Sequence, residues 1–273
     1  MRPEEIPIVV ISLDRRPDRW AQFLERAAAA DIDRSRVVRL SAVDASTMDM
    51  IHHPSVSILT AHNIKKGVRR AHYEIDRPGA VGASLSHFNA WKHLETSRSE
   101  AVIVFEDDTY IPTDFNDRLA TLVNDLPMAG DWDVITFYNT PFTGGAQGCP
   151  PSSSATGPWS SCASLMGAFA YMVSRRGVRR LLERAYPIEL HVDAYMAFMA
   201  RLEYIQMVWH PVMQILPNFD DSDINHGGSE ILNIPTNLSK SGLVLLDSQA
   251  ILGIVTLVAI AGSILSLALL RTK

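Results

Sequence analysis

The sequence lacks the features that would place it in several common protein classes. Its 273 residues have a formal net charge of −5, so nothing in the overall charge indicates nucleic-acid binding. It contains no complete dinucleotide-binding or P-loop glycine motif, no Gly-x-Ser-x-Gly motif and no Cys/His spacing typical of a zinc site. These absences weigh against NAD-dependent enzymes, P-loop ATPases, serine hydrolases and zinc enzymes.

Cysteine is scarce as well. The two cysteines, Cys149 and Cys162, lie in one Gly-, Pro- and Ser-rich stretch and could pair. Two cysteines in a chain of this size fit a reducing compartment equally well. The sequence therefore leaves the pairing open.

Charge is absent from one long segment near the C-terminus. Residues 250–270 contain no charged residue and no Pro, Asn or Gln. As a helix they would be about 31 Å long, which matches the hydrocarbon core of a bilayer. We therefore expect a C-terminal transmembrane helix. A buried core helix is less favoured, because core helices usually keep one polar face.

The N-terminus does not have the pattern of a signal peptide. Pro3, Glu4 and Glu5 stand where a basic region and a longer apolar run are needed. We therefore expect residues 250–270 to be a tail anchor that leaves the preceding domain facing the cytosol, although Arg271 and Lys273 favour the opposite orientation. The expected organisation is a globular domain over residues 1–235, a linker over 236–249 and the anchor.

Apolar runs alternate with amphipathic segments along the globular part. Strands are predicted at residues 6–13, 37–40, 101–105, 134–138, 169–173 and 207–209, and helices at 17–30, 78–97, 115–126, 175–185 and 191–201. Residues 45–77 show weak periodicity, and 139–166 read as a long loop that could serve as a lid. The alternation predicts an α/β fold with a mixed, mainly parallel sheet flanked by helices. In such sheets, ligands bind beyond the carboxyl ends of the strands.

Three acids follow the most regular apolar strand. They are Glu106, Asp107 and Asp108. In an extended chain Glu106 and Asp108 point to the same side, and an oxygen-binding cation would relieve the repulsion between the three carboxylates. We expect Glu106 and Asp108 to bind Mn²⁺ or Mg²⁺ that bridges a diphosphate, with Asp107 contributing to donor binding. The alternative is a solvated acidic turn that caps the next helix.

Two further segments are candidates for binding a phosphorylated ligand. Asp14, at the end of the first strand and beside Arg15, Arg16 and Arg19, could hold a ribose or base edge while an arginine such as Arg16 meets phosphate. The alternative is helix capping with solvated arginines.

The second segment opens the helix at 78–97. Gly82 and Ser86 are small residues on its first turns, where a ligand could approach closely and the helix N-terminus favours anions. Packing between helices is the alternative reading of both residues.

Polar residues in the second half complete the predicted site. Asp193 begins a helix and could act as a general base on an acceptor hydroxyl, or it could simply cap the helix. Asp220, Asp221, Asp223 and His226 form a polar cluster that could close over the cation or nucleotide, with His226 as a third metal ligand. The alternative is an exposed edge of the linker.

Taken in order, these segments resemble glycosyltransferase family 25, which includes bacterial lipooligosaccharide and collagen galactosyltransferases. The matching segments are residues 10–20 (VISLDRRPDRW), 79–94 (GAVGASLSHFNAWKHL), 102–108 (VIVFEDD), 132–135, 170–182, 192–193 and 222–224. Under this resemblance, Glu106 and Asp108 match the acidic motif that holds cation and nucleotide, and Asp14 and Arg16 match the first nucleotide-binding motif.

The resemblance implies a GT-A-like fold and a metal-dependent reaction. We expect an inverting transfer of a hexose, in this family often galactose, from a UDP-sugar to a hydroxyl of a glycan or protein. One alternative is a retaining or hydrolytic sugar-nucleotide enzyme. The other is a catalytically degenerate, membrane-anchored protein that binds sugar nucleotide or acts as a scaffold.

Overall fold

The computed structural model describes residues 1–139, 157–163 and 167–216. Contacts between residues divide the chain into two units, Met1–Leu232 and Asn233–Lys273, and every described residue belongs to the first. The main elements are β1 (Ile8–Ser12), α1 (Pro17–Ala29), β2 (Val37–Ser41), α2 (Ile58–Lys66), α3 (Pro78–Thr96), β3 (Ala101–Glu106), α4 (Phe115–Asp125), β4 (Val134–Thr136), β5 (Ser160–Ser161), β6 (Ala170–Ser174), α5 (Arg175–Leu182), α6 (Val192–Arg201) and β7 (Met207–Trp209).

The strands of the described residues form one seven-stranded sheet in the order β2-β1-β3-β6-β4-β7-β5. Strands β2, β1 and β3 are mutually parallel, and β4 is parallel to β7. Strand β6 runs antiparallel to both β3 and β4, and β5 runs antiparallel to β7. Five strands thus run in one direction, which confirms the predicted mixed α/β sheet.

Helices cover both faces of the sheet. On one face, Phe23 of α1 and Phe115 of α4 pack around the side chains of the central strands. On the other face, α3, α5 and α6 contribute Trp91, Leu181 and Met196 to a second apolar cluster. Because both faces are covered, every residue of β1 is buried, and this explains why the strand reads as a continuous apolar run.

Local signals account for several helix boundaries. Helices α1 and α3 begin at Pro17 and Pro78, where proline has the helical φ and its missing N–H costs no intrahelical hydrogen bond. Helix α2 is capped by Ser57, whose side chain accepts the N–H of Thr60, and it ends at Gly67 with a φ of +62°. This helix is not among the predicted elements, because residues 45–77 show only weak periodicity. The caps at Ser57 and Gly67 nevertheless mark its two ends.

Other sequence predictions differ from the structure or lie outside the residues that it describes. The fourth predicted strand ends at Thr136, and the predicted loop at 139–166 contains the short strand β5, which pairs with β7. Residues 140–156 and 164–166 of that loop lie outside the described residues. So do the predicted linker at 236–249 and the predicted anchor at 250–270. Within the described ranges, no helix is both long enough and apolar enough to cross a membrane.

Candidate active site

The acidic turn, formed by Glu106, Asp107 and Asp108, lies at the carboxyl end of β3, beside the end of β1. The N–H of Asp107 donates to the carbonyl of Ile11 at 3.1 Å, and the N–H of Glu106 donates to the carbonyl of Phe169 at 2.9 Å. Because β1 and β3 are parallel neighbours, Asp14, two residues beyond β1, belongs to the same edge of the sheet. The structure therefore brings together the first two segments in which the sequence predicted chemistry.

Burial and mutual repulsion raise the proton affinity of this turn. Burial, followed by the charge of Glu106, raises the pKa of Asp108 from its ordinary value of 3.8 to about 7. Burial also raises the pKa of Asp107, and the Arg19 charge acts in the opposite sense. Atom Oδ2 of Asp107 is buried and has no hydrogen-bond partner among the described residues. The turn therefore concentrates negative charge at this edge of the sheet.

Arginine side chains from α1 supply the nearby positive charge. Nη1 of Arg19 lies 3.8 Å from Oδ1 of Asp107 and 3.7 Å from Oδ2 of Asp108. Nη2 of Arg26 donates to the carbonyl oxygen of Asp107 at 2.5 Å. The distances from Arg19 to these two carboxylates are longer than hydrogen bonds, so its positive charge offsets their negative charge without a direct hydrogen bond to either. The sequence placed Arg19 among the basic residues near Asp14, whereas its side chain is buried beside the acidic turn.

The donor set suits a cation that brings ligands of its own. Mg²⁺ and Mn²⁺ are commonly held by one or two carboxylates and complete their coordination with phosphate oxygens and water. Among the described residues, no three or more His, Cys, Asp or Glu side chains are grouped so that they could hold a metal ion. Metal binding by Glu106 and Asp108 stays a prediction. The predicted third ligand, His226, lies outside the described residues, as do Asp220, Asp221 and Asp223.

Asp14 is an exposed carboxylate at this edge. Its side chain is 67% exposed, accepts a hydrogen bond from Ser41 Oγ at 2.9 Å and pairs with Arg39 Nη1 at 2.8 Å. The hydrogen bonds from Ser41 and Arg39 lower the pKa of Asp14, so the group is ionised at neutral pH. Arg16 pairs with Asp18 at 2.8 Å. Nucleotide binding by Asp14 and Arg16 stays a prediction.

Gly82 and Ser86 fix α3 against the chain that follows β2. Oγ of Ser86 accepts the N–H of Val43 at 2.8 Å and donates to the carbonyl of Gly82 at 2.7 Å. A Cβ atom at Gly82 would lie 2.6 Å from the carbonyl oxygen of Val43, which excludes any larger residue without a backbone shift. This packing explains why both residues are small, and their contact with the donor stays a prediction.

Asp193 lies in the first turn of α6 and is tied to the acidic turn through the backbone. Its Oδ2 accepts the N–H of Gly167 at 2.7 Å, and its Oδ1 accepts the N–H of Ala194 at 2.8 Å. Gly167 is two residues from Phe169, whose carbonyl accepts the N–H of Glu106. The carboxylate thus stabilises the local backbone and also lies one short segment away from the predicted cation ligands.

A buried hydrogen-bonded group that is not among the sequence predictions lies behind Glu106. Nε2 of His87 lies 3.1 Å from Oε1 of Glu106, and Nδ1 of His87 lies 2.9 Å from the hydroxyl of Tyr171. Trp91 Nε1 donates to that hydroxyl at 2.8 Å. His87 and Trp91 are four residues apart and so share one face of α3, a spacing visible in the sequence. Their meeting with Tyr171, on β6, depends on the pairing of β6 with β3.

Two other segments of the resemblance form a structural contact away from the acidic turn. The carboxylate of Asp133 is fully buried and accepts hydrogen bonds from Arg176 Nε at 2.7 Å, Arg180 Nη1 at 2.7 Å and the N–H of Gln206 at 2.8 Å. These bonds connect the start of β4 to helix α5 and to the residue before β7. The role of this contact is therefore to hold elements of the fold together.

Comparison with known proteins gives a family match over the part of the chain that carries the acidic turn. The profile of glycosyltransferase family 25, described as an LPS biosynthesis protein, matches residues 5–143, just over half of the chain. The match includes β1, β3 and the turn at 106–108.

Some individual relatives are named as galactosyltransferases and others as inactive family members. Procollagen galactosyltransferase 1-B of Xenopus laevis is 27% identical over 260 residues, which are 90% of this chain and 40% of that protein. Procollagen galactosyltransferase 2 of Mus musculus is 32% identical over 134 residues, 47% of this chain and 20% of that protein. Inactive glycosyltransferase 25 family member 3 of Homo sapiens is 32% identical over 140 residues, 49% of this chain and 22% of that protein. The chain thus spans well under half the length of these relatives.

Proposed function

Because this chain belongs to glycosyltransferase family 25, we propose that it transfers a hexose from a UDP-sugar to a hydroxyl group of a glycan or protein. The observation that carries the proposal is the acidic turn at the carboxyl end of β3, where the Asp108 side chain is only 15% exposed beside Glu106 and its pKa is raised to about 7. Clustered, destabilised carboxylates at this edge are suited to a cation and a diphosphate. The relatives named procollagen galactosyltransferases support galactose as the sugar.

Donor binding is assigned to the edge formed by β1 and β3. Glu106 and Asp108 would hold Mn²⁺ or Mg²⁺, and Asp14 and Arg16 would hold the nucleotide. When bound, the cation would neutralise the charge that develops on the departing UDP. The Asp14 carboxylate, ionised and exposed, can accept hydrogen bonds from sugar hydroxyls.

Acceptor activation is assigned to Asp193. Its carboxylate would take the proton of the acceptor hydroxyl as that oxygen forms a bond to the anomeric carbon and the bond to UDP breaks. The hydrogen bonds from Gly167 and Ala194 hold the carboxylate in place, and each oxygen retains a second lone pair for a proton. Attack opposite the leaving group makes the proposed reaction inverting.

A screen of UDP-sugars with the purified full chain tests this proposal. We expect hydrolysis or transfer that requires Mn²⁺ or Mg²⁺ and favours UDP-galactose, and NMR of the product should show inversion at the anomeric carbon. Retention would overturn the inverting mechanism. Turnover that continues in the presence of a chelator would overturn the metal assignment.

A second candidate is a catalytically degenerate protein that binds a sugar nucleotide or serves as a scaffold. The observation that favours it is the similarity to a family member named as inactive. Glu106, Asp107 and Asp108 argue against it, because a scaffold has no use for repelling carboxylates at a strand end. UDP-sugar binding without turnover would favour the binding protein, and absence of both would favour the scaffold.

The composition of the C-terminal segment bears on the location of the proposed activity. We propose that residues 250–270 form a single membrane-spanning helix and that the catalytic domain faces the cytosol. The uncharged apolar composition of this segment supports the proposal. Extraction of membranes at alkaline pH should leave the full chain in the membrane fraction and release a variant in which the segment is deleted.

A further inference from the structure

Donor and acceptor roles can be assigned along the hydrogen-bonded group behind Glu106. The indole N–H of Trp91 can only donate, so the Tyr171 hydroxyl accepts it and can donate its own proton to Nδ1 of His87. Nδ1 is then an acceptor, which places the ring proton on Nε2, where it is donated to Oε1 of Glu106. Burial raises the pKa of Tyr171, so its hydroxyl keeps the proton that this arrangement needs.

Burial shows that the group is more than a surface contact. The side chains of Trp91, Tyr171 and His87 are fully buried, whereas the Glu106 side chain is 31% exposed. Burying a hydroxyl and an imidazole is costly unless their hydrogen bonds are made, and an apolar side chain would fill these positions at lower cost. Glu106 is the member of this hydrogen-bonded group that reaches the edge of the sheet where the donor is proposed to bind.

We infer that His87 is a positioning residue that holds Oε1 of Glu106 through an Nε2–H donor and thereby presents Oε2 to the cation of the donor diphosphate. This inference rests on the proposed function. A hydrogen bond to one carboxylate oxygen restricts rotation of the group, and donors behind metal ligands typically change metal affinity by about 10- to 100-fold. Tyr171 and Trp91 act on Glu106 only through His87.

Binding of Mn²⁺ in the presence of excess UDP, measured by electron paramagnetic resonance on the full chain, tests the inference without a turnover readout. We expect His87→Phe to bind Mn²⁺ about 10- to 100-fold more weakly than wild type. His87→Gln, whose amide can donate to Glu106, should recover most of the affinity. Tyr171→Phe should lose part of it, because His87 then loses the partner that fixes its proton on Nε2.

His93→Gln is the matched control, because His93 is an exposed histidine on the same helix, and it should bind Mn²⁺ like wild type. Equal affinity of wild type, His87→Phe and Tyr171→Phe would overturn the inference and leave the proposed function standing. Failure of the wild type to bind Mn²⁺ would overturn the proposed metal site, and the inference with it. Should His87→Phe not fold, Tyr171→Phe alone decides, and wild-type affinity in that variant overturns the inference.

Discussion

The carboxylate of Asp193 accepts a hydrogen bond of 2.7 Å from the backbone N–H of Gly167. Two residues later, the carbonyl of Phe169 accepts the N–H of Glu106 at 2.9 Å. The start of α6 is therefore held beside the acidic turn by a short backbone segment. A base and a cation that act on one substrate need such an arrangement, but the same bond could also serve only to order the backbone at Gly167.

Substitution of Asp193 separates these two roles. If Asp193 is the general base, both Asp193→Ala and Asp193→Asn should lower the turnover number by more than about tenfold, because neither can take a proton. If Asp193 only orders the backbone, Asp193→Asn should keep its activity, because its amide oxygen can still accept the Gly167 N–H. Steady-state rates of transfer from UDP-galactose, with thermal unfolding as the folding control, measure the difference.

The raised pKa of Asp108 predicts a pH-dependent effect of Asp108→Asn on stability. A carboxyl whose pKa is higher in the folded protein stabilises the fold below its unfolded value of 3.8 and loses that contribution as the pH rises through about 7. In EDTA, Asp108→Asn should therefore melt near the wild-type temperature at pH 4 and several degrees above it at pH 8. Asp114→Asn is the control, and it should lower the melting temperature at pH 8 rather than raise it, since the hydrogen bond from Arg118 lowers the pKa of Asp114. A variant no more stable than wild type at pH 8 would contradict the described environment of Asp108.

The buried contact of Asp133 predicts a loss of stability without a loss of chemistry. Asp133→Asn should lower the free energy of unfolding by about 2 to 3 kcal/mol, less than for a fully buried ion pair because Arg176 and Arg180 are 39% and 41% exposed. Asp131 pairs with the same Arg176 at 3.0 Å but is 84% exposed, so Asp131→Asn should cost under about 1 kcal/mol. Urea unfolding of both variants gives the comparison. Equal effects would show that the burial of Asp133 has no energetic consequence.

The elements that the sequence predicted best are those with a local physical cause. The continuous apolar runs of β1 and β3 reflect burial on both faces, and Pro17 and Pro78 mark the beginnings of α1 and α3. Helix α2 was missed because its apolar pattern is weak, although its caps are readable. Strand β5 has only two residues, Ser160 and Ser161, and forms through its pairing with β7 rather than through local preference.

Residues of the candidate site also divide into those with a local sequence signal and those placed by packing of distant segments. Glu106 and Asp107 could be placed at the edge of the sheet where ligands bind, because they stand at the carboxyl end of the buried strand β3. The burial of Arg19 against Asp107 could not be predicted, because it depends on how α1 packs on the sheet. The contact of His87 with Tyr171 joins residues 84 positions apart, so no local pattern indicates it.

Under the proposed function, the acidic turn binds a UDP-sugar through a divalent cation. Calorimetric titration of UDP-galactose into the full chain, with Mn²⁺ and with EDTA, tests it most directly. We expect binding in Mn²⁺ that is lost in EDTA and in Asp108→Asn, while Asp131→Asn binds like wild type. Binding that is unchanged by EDTA, or retained by folded Asp108→Asn, would contradict the account.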